Sequence, residues 1–117
     1  MNKQDIIKSI CEMPVKFKAA GDVSILELFD RSGYCDTQII VTESDLENIL
    51  LANPDLIPAW LEYSEDNRSS NAPYIMYKNR RWFVGAYPNE KEIAFKDQIK
   101  ACSSYIKRYI ECLSAVF

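Results

Sequence analysis

Three carboxylates, Glu62, Glu65 and Asp66, crowd into five positions of a 117-residue chain. On a helix, Glu62 and Asp66 share a face at i and i+4, where two like charges repel by a few tenths of a kcal/mol. Such a pair has two uses. Enclosed in a cleft, one carboxyl can act as general acid and the other as base or nucleophile, as in glycoside hydrolysis. Left open, the pair forms part of an anionic contact surface, where the repulsion is tolerable. Three glycines in the whole chain leave little flexible loop from which to build a cleft. The other chemistries have weaker footing. The chain has no histidine, and Cys11, Cys35, Cys102 and Cys112 form no C-x-x-C pair, so neither a histidine acid–base nor a clustered zinc site is expected. No phosphate-cradling G-x-x-x-x-G-K-[ST] or G-x-G-x-x-G is present, and no G-x-S-x-G nucleophile elbow. The expectation is a protein without metal or cofactor that is not an enzyme.

The carboxylates belong to a wider asymmetry. From Ser32 to Asn67 the chain has no Lys or Arg, yet it holds Asp36, Glu43, Asp45, Glu47, Asp55, Glu62, Glu65 and Asp66. The whole chain balances at −3, from 17 acidic and 14 basic residues, so everything outside this stretch is net positive. One account is a solvated surface with acidic helix starts, since the helix dipole favours carboxylates in a first turn. The other is an acidic face for a basic partner, which speeds association and selects the partner more than it adds affinity. Such a face repels nucleic acid. The opposite signal, Lys78, Arg80, Arg81 and Lys91 near Trp82 and Tyr87, amounts to an ordinary basic surface, although aromatic faces between cations can stack bases. The candidate partner-binding residues are Glu62, Glu65, Asp66 and Arg68, with Glu43, Asp45, Glu47 and Asp55 at the rim. Arg68 is either a contact or a clasp within the patch.

The elements that must hold these side chains follow from local signals. The spacing of Ile6, Ile7 and Ile10 predicts a helix over 3–12, stopped before Pro14. Ser24 with Glu27 makes a capping box for a helix Ile25–Arg31 that closes at Gly33. Thr37–Val41 is a β-like run. Thr42 with Asp45, or Ser44 with Glu47, opens a helix carrying Leu46, Ile49 and Leu50 that ends at Asn53-Pro54. Asp55 to Pro58 opens the next, with Trp60, Leu61 and Tyr63 on its buried side; Trp60 is expected in the core. Glu65 to Asn71 reads as a loop. Residues 73–87 read as a hairpin, with Pro73 at the strand start, a turn at Asn79-Arg80 and strand formers on both sides. Pro88-Asn89 is a turn and Ile93–Phe95 a third short strand. Phe95, Ile99, Cys102, Ile106, Tyr109, Leu113 and Val116 lie 4, 3, 4, 3, 4, 3 apart, a stripe along a helix from about Asp97 to Ala115. It serves either the core or a dimer seam, and Tyr105 and Ile110 widen it toward the core reading.

With 48% hydrophobic residues, one domain over 1–117 is expected, an α+β fold with a small antiparallel sheet covered by helices. The start Met1–Ile7 does not resemble a signal peptide, and no apolar run reaches the roughly 20 residues of a membrane span. A cytoplasmic protein with free thiols is therefore expected.

The run Ala59-Trp60-Leu61-Glu62-Tyr63-Ser64-Glu65-Asp66-Asn67-Arg68-Ser69-Ser70, the strand Tyr74–Tyr77, Trp82-Phe83-Val84-Gly85 and the helix with Lys100-Ala101-Cys102 resemble small bacterial immunity proteins encoded beside polymorphic toxins, including those of contact-dependent growth inhibition systems. The likeness covers residues 59–110; Ala72-Pro73 stands where that group carries a glycine and an aromatic. It implies a stoichiometric inhibitor that binds a cognate toxin domain in the cytoplasm of the producing cell, with no nucleic-acid or membrane partner of its own. Many such toxins are nucleases with basic surfaces, for which an acidic face mimics phosphate. The alternatives are a small adaptor, dimeric through the last helix, and a hydrolase built on the Glu62/Asp66 pair.

Overall fold

A computed structural model describes residues 2–37, 39–66, 72–86 and 92–116. In chain order the elements are α1 (Lys3–Cys11), α2 (Met13–Ala20), α3 (Ile25–Arg31), α4 (Tyr34–Thr37), α5 (Glu43–Ala52), α6 (Leu56–Asp66), β1 (Pro73–Lys78), β2 (Arg81–Ala86), β3 (Ile93–Phe95) and α7 (Gln98–Ser114). The fold is α+β.

The sheet is antiparallel in the order β1-β2-β3. Lys78 pairs with Arg81 across the Asn79-Arg80 turn, which sets the register Tyr77↔Trp82, Ile75↔Val84 and Pro73↔Ala86. Both turn residues have positive φ, 52° and 62°, the two-residue hairpin geometry whose twist matches that of the strands. On the other side β2 runs against β3 with Trp82↔Phe95 and Val84↔Ile93.

Helix α7 is the centre of the molecule. It packs against α5 and all three strands, and every residue from Ala101 to Ile106 is buried. Of the apolar stripe, Cys102, Ile106 and Leu113 are buried within the chain's own core, whereas Val116 is 67% exposed. One cluster joins Ile6, Ile7 and Ile10 of α1, Phe29 of α3, Leu46 and Leu50 of α5, Trp60 of α6, Ile75 and Val84 of the sheet, and Tyr105, Ile106 and Ile110 of α7. Every buried side-chain N or O atom among the described residues has a hydrogen-bond partner. The four cysteines are free; Cys11 and Cys102 are fully buried, and burial pushes the Cys11 thiol up to about 12 and Cys102 upward as well.

Three sequence expectations need correcting. Pro14 does follow the end of α1, but it sits in the first turn of a further helix, α2. A proline fits there because the first-turn N–H groups have no intrahelical acceptor. The β-like run Thr37–Val41 forms no strand among its described residues: Thr37 ends α4, its hydroxyl donating to the Gly33 carbonyl at 3.0 Å, and the chain then carries Val41 into the core while Ile40 stays 75% exposed. Residues 65 and 66, expected in a loop, are the last of α6. The rest of that loop, with Arg68, and the turn at Pro88-Asn89 lie outside the described residues.

The start of α5 matches expectation closely. Asp45 N–H donates to Thr42 Oγ1 at 3.1 Å, and Thr42 N–H donates back to Asp45 Oδ2 at 2.9 Å, a reciprocal capping box. The Thr42 N–H, with Lys3 Nζ 3.3 Å away, holds the Asp45 carboxyl below its ordinary range. A depressed carboxyl stabilises the fold above its unfolded pKa, and that contribution disappears as pH falls through the lower folded value. Asp45→Ala is therefore expected to lose about 0.5–1 kcal/mol at pH 7. The gap from wild type should close below about pH 4, measured by urea unfolding across pH; a gap constant down to pH 2 would refute the linkage.

Candidate functional site

Helix α6 has two unlike faces. Leu56, Ile57, Trp60, Tyr63 and Ser64 are buried. The opposite side carries Pro58, Ala59, Glu62 and Asp66, which face α2 across an open groove of about 570 Å³. Alpha2 supplies the other wall through Pro14, Val15, Phe17, Lys18 and Ala19.

Buried contacts set the spacing of the walls. The Trp60 indole N–H donates to the Cys11 carbonyl at 2.9 Å, fixing α6 against the corner where α1 passes into α2. The Phe17 ring meets Tyr63 edge-on, centroids 5.5 Å apart at 86°. Behind it the Tyr63 and Tyr109 hydroxyls lie 2.5 Å apart, and Tyr109 stacks on Tyr105 at 5.9 Å. Burial raises both Tyr63 and Tyr109 phenols, so they stay neutral donors and acceptors through the ordinary pH range. The groove floor is thus a rigid aromatic wall.

The mouth is charged. Lys18 Nζ reaches across to Glu62 Oε1 at 2.6 Å, with both side chains largely in water, 73% and 53% exposed. The hydrogen bond to Glu62 is the first cause of the raised Lys18 pKa, and Asp66 adds to it through its charge. Glu65 is exposed on the next position of α6. Among the described residues neither Glu65 nor Asp66 has an ion-pair partner.

The structure sorts the sequence candidates into two groups. Glu43 and Asp45 lie in the first turn of α5, Asp55 directly precedes α6 and Glu47 is half-buried on α5. At helix N-termini the dipole stabilises carboxylates, and Asp45 also caps its helix and pairs with Lys3. Structure alone accounts for Glu43, Asp45 and Asp55. Glu65 and Asp66 sit in the last turn of a helix, where the dipole disfavours negative charge, Glu62 lies on the turn before, and no basic residue occupies the last turn of α6. Only Glu62 and Asp66 line the groove. Asp45 pairs with Lys3 of α1 and Glu62 with Lys18 of α2, and of the described candidates only Glu62 and Asp66 line the groove; Arg68 lies outside the described residues.

The basic hairpin is partly neutralised by the chain itself. Lys78 Nζ lies 3.5 Å from Glu92 and 4.8 Å from the Phe83 ring centroid, and Tyr74 O–H donates to the same Glu92. Trp82 packs on Tyr77, ring centroids 4.8 Å apart. Tyr87 and Lys91 lie outside the described residues. Among the described residues there is no cluster of metal-ligating side chains, and no helix is long and apolar enough to cross a membrane.

Sequence reading missed the α2 wall entirely. Its signal was present in Pro14 as a helix start, followed by Val15, Phe17 and Ala19 before Gly21, whose φ of 75° ends the helix.

Fold and site together define an α+β protein with an open, apolar-floored, acid-edged groove between two helices. No known protein family, curated protein or solved structure matches the chain.

Proposed function

We propose that this chain is an immunity protein, a stoichiometric inhibitor that binds a basic toxin domain, of the nuclease kind, through the acidic end of α6. The observation that carries the reading is the placement of Glu65 and Asp66 in the last turn of α6, with Glu62 one turn before Asp66 and Lys18 as the neighbouring counter-charge. Carboxylates there lower the stability of the helix, so folding does not explain them, whereas a cationic partner does. The resemblance of residues 59–110 to immunity proteins supports the same reading independently. Hydrolysis fits less well: Glu62 is open to solvent and tied to Lys18 rather than enclosed beside Asp66, and the groove's interior is apolar. A dimerising adaptor loses its main argument, since most of the α7 stripe is spent inside the chain.

The test uses the toxin domain encoded next to this chain, titrated by calorimetry and assayed for nuclease activity. We expect a one-to-one complex that weakens as salt rises, complete inhibition at equivalence, and about tenfold weaker binding for Glu62→Lys/Glu65→Lys/Asp66→Lys, about 1.4 kcal/mol. Undiminished toxin activity at several-fold excess of this chain would defeat the proposal.

A further inference from the structure

We infer that the groove between α2 and α6 receives a basic amphipathic helix of the partner, whose apolar side chains enter between Val15 and Ala59 while one of its Lys or Arg residues takes Glu62 from Lys18. The inference rests on the binding function proposed above and names the partner segment for that site.

Shape is the first argument. The cavity, about 570 Å³, has the volume of a ligand site, yet it is an open trough between two surface helices rather than an enclosed pocket. Small-molecule sites place a few convergent polar groups inside to fix orientation. Here the interior is proline, alanine, valine and aromatic surface, and the charges stand at the edge. An apolar trough with charged edges is the arrangement that takes an amphipathic helix through side chains at i, i+3 or i+4, and i+7. Val15 is 45% exposed, and its side chain gains burial only if something fills the trough.

Charge complementarity sets the sign of the occupant. The edge holds Glu62 and Asp66 against one ammonium, Lys18, with Glu65 adjacent. An acidic segment would meet repulsion there; a basic one gains. The Lys18–Glu62 pair is short but exposed on both sides, and exposed ion pairs contribute little to stability. An incoming cation can therefore replace Lys18 at small cost, while a neutral or acidic segment leaves it in place. Lys18 then acts as an internal competitor that raises the selectivity of the groove for cations.

The experiment measures binding of a fluorescein-labelled helical peptide of alternating Leu and Lys faces, with Glu-for-Lys and Ser-for-Leu versions as controls, by anisotropy against the full chain. We expect saturable binding of the Leu/Lys peptide, at least tenfold weaker binding of both controls, about tenfold loss in Ala59→Leu and in Val15→Ser, and about threefold gain in Lys18→Ala. Ala59→Leu and Val15→Ser change no charge, and circular dichroism with thermal unfolding establishes that each folds. No saturable binding, equal binding of the Ser-for-Leu peptide, or unchanged affinity in Ala59→Leu would overturn the groove assignment. The toxin titration separates the two ideas. A toxin domain that binds Ala59→Leu as tightly as wild type but loses affinity for the triple lysine variant keeps the inhibitor function and removes the groove. A groove that passes every peptide test in a chain that does not inhibit the toxin keeps the groove and removes the function.

Discussion

Trp60→Ala is expected to destabilise the protein by about 3–5 kcal/mol, a large fraction of the stability of a domain this size, on the order of 5–15 kcal/mol. Trp60 is fully buried and does three things at once. It fills the space between α6 and α7, its ring within 6.0 Å of the Tyr63, Tyr105 and Tyr109 rings in edge-on geometry. Its N–H satisfies the Cys11 carbonyl where α1 gives way to α2. Through that bond it fixes the distance between the two walls of the groove. Truncation leaves a large cavity and one buried carbonyl without its donor. Trp60→Phe keeps most of the ring and loses only the donor, so about 1–3 kcal/mol is expected. Urea unfolding of the three proteins, followed by the fluorescence of Trp82 and by far-ultraviolet circular dichroism, gives the comparison. A Trp60→Ala midpoint within about 0.5 kcal/mol of wild type, the range of ordinary surface substitutions, would mean that Trp60 is not the post on which α6 stands.

How far the sequence foretold this arrangement depends on whether a feature is local. The Thr42/Asp45 capping box, the Asn79-Arg80 turn and the strands beside it are written in neighbouring residues, and the structure has them where local chemistry puts them. Helix α7 was legible as a stripe, but Ala101, Ser103 and Ser104 are also buried; small residues mark close approach by several elements, which hydrophobic periodicity does not register. The run Thr37–Val41 has the composition of a strand and lacks the partner that would make it one, because β-propensity is a statement about neighbours on a sheet. Alpha2 was hidden by Pro14, since the same proline that ends one helix is well suited to begin the next. The candidate site shows the divide most clearly. Sequence placed Glu62 and Asp66 on one face if both were helical, which needs only the helical period, but ended the helix before Asp66, which the structure includes. That Val15, Phe17 and Lys18 stand opposite, some 44 positions away, is a tertiary fact set by the Trp60–Cys11 bond and the Phe17–Tyr63 contact. Likewise the run of eight carboxylates looked like one patch because it is continuous in sequence, and folding pairs Asp45 of α5 with Lys3 but Glu62 of α6 with Lys18.

The Ser64 hydroxyl ties the acidic end of α6 to the backbone of β1, and Ser64→Ala is expected to cost about 2–3 kcal/mol for that reason. Ser64 is 2% exposed. Its Oγ accepts the Ile75 N–H at 3.1 Å and its O–H donates to the Ile75 carbonyl at 3.4 Å. In an antiparallel pair, backbone groups point alternately toward and away from the partner strand. The Lys78–Arg81 pair closing the hairpin faces inward, so Ile75, three residues back, points its N–H and C=O away from β2. Two positions before it, Pro73 has no N–H to leave open. Ser64 and Pro73 together cover the first part of the outer edge of β1, which would otherwise offer itself for pairing with another chain. Alanine removes both bonds and leaves two buried backbone groups of one residue without those partners. Amide exchange reads this directly: the Ile75 N–H, protected in wild type, should exchange roughly 30–100-fold faster in Ser64→Ala, the equivalent of about 2–3 kcal/mol. Core amides of α7 should accelerate only as far as global stability falls. Unchanged Ile75 exchange would place its acceptor elsewhere. Acceleration at Ile75 and the last turn of α6 beyond that of the α7 core would identify Ser64 as a tether that keeps Glu62, Glu65 and Asp66 pointed at one partner, because a helix end released from the sheet can no longer present three carboxylates in fixed relation to the α2 wall.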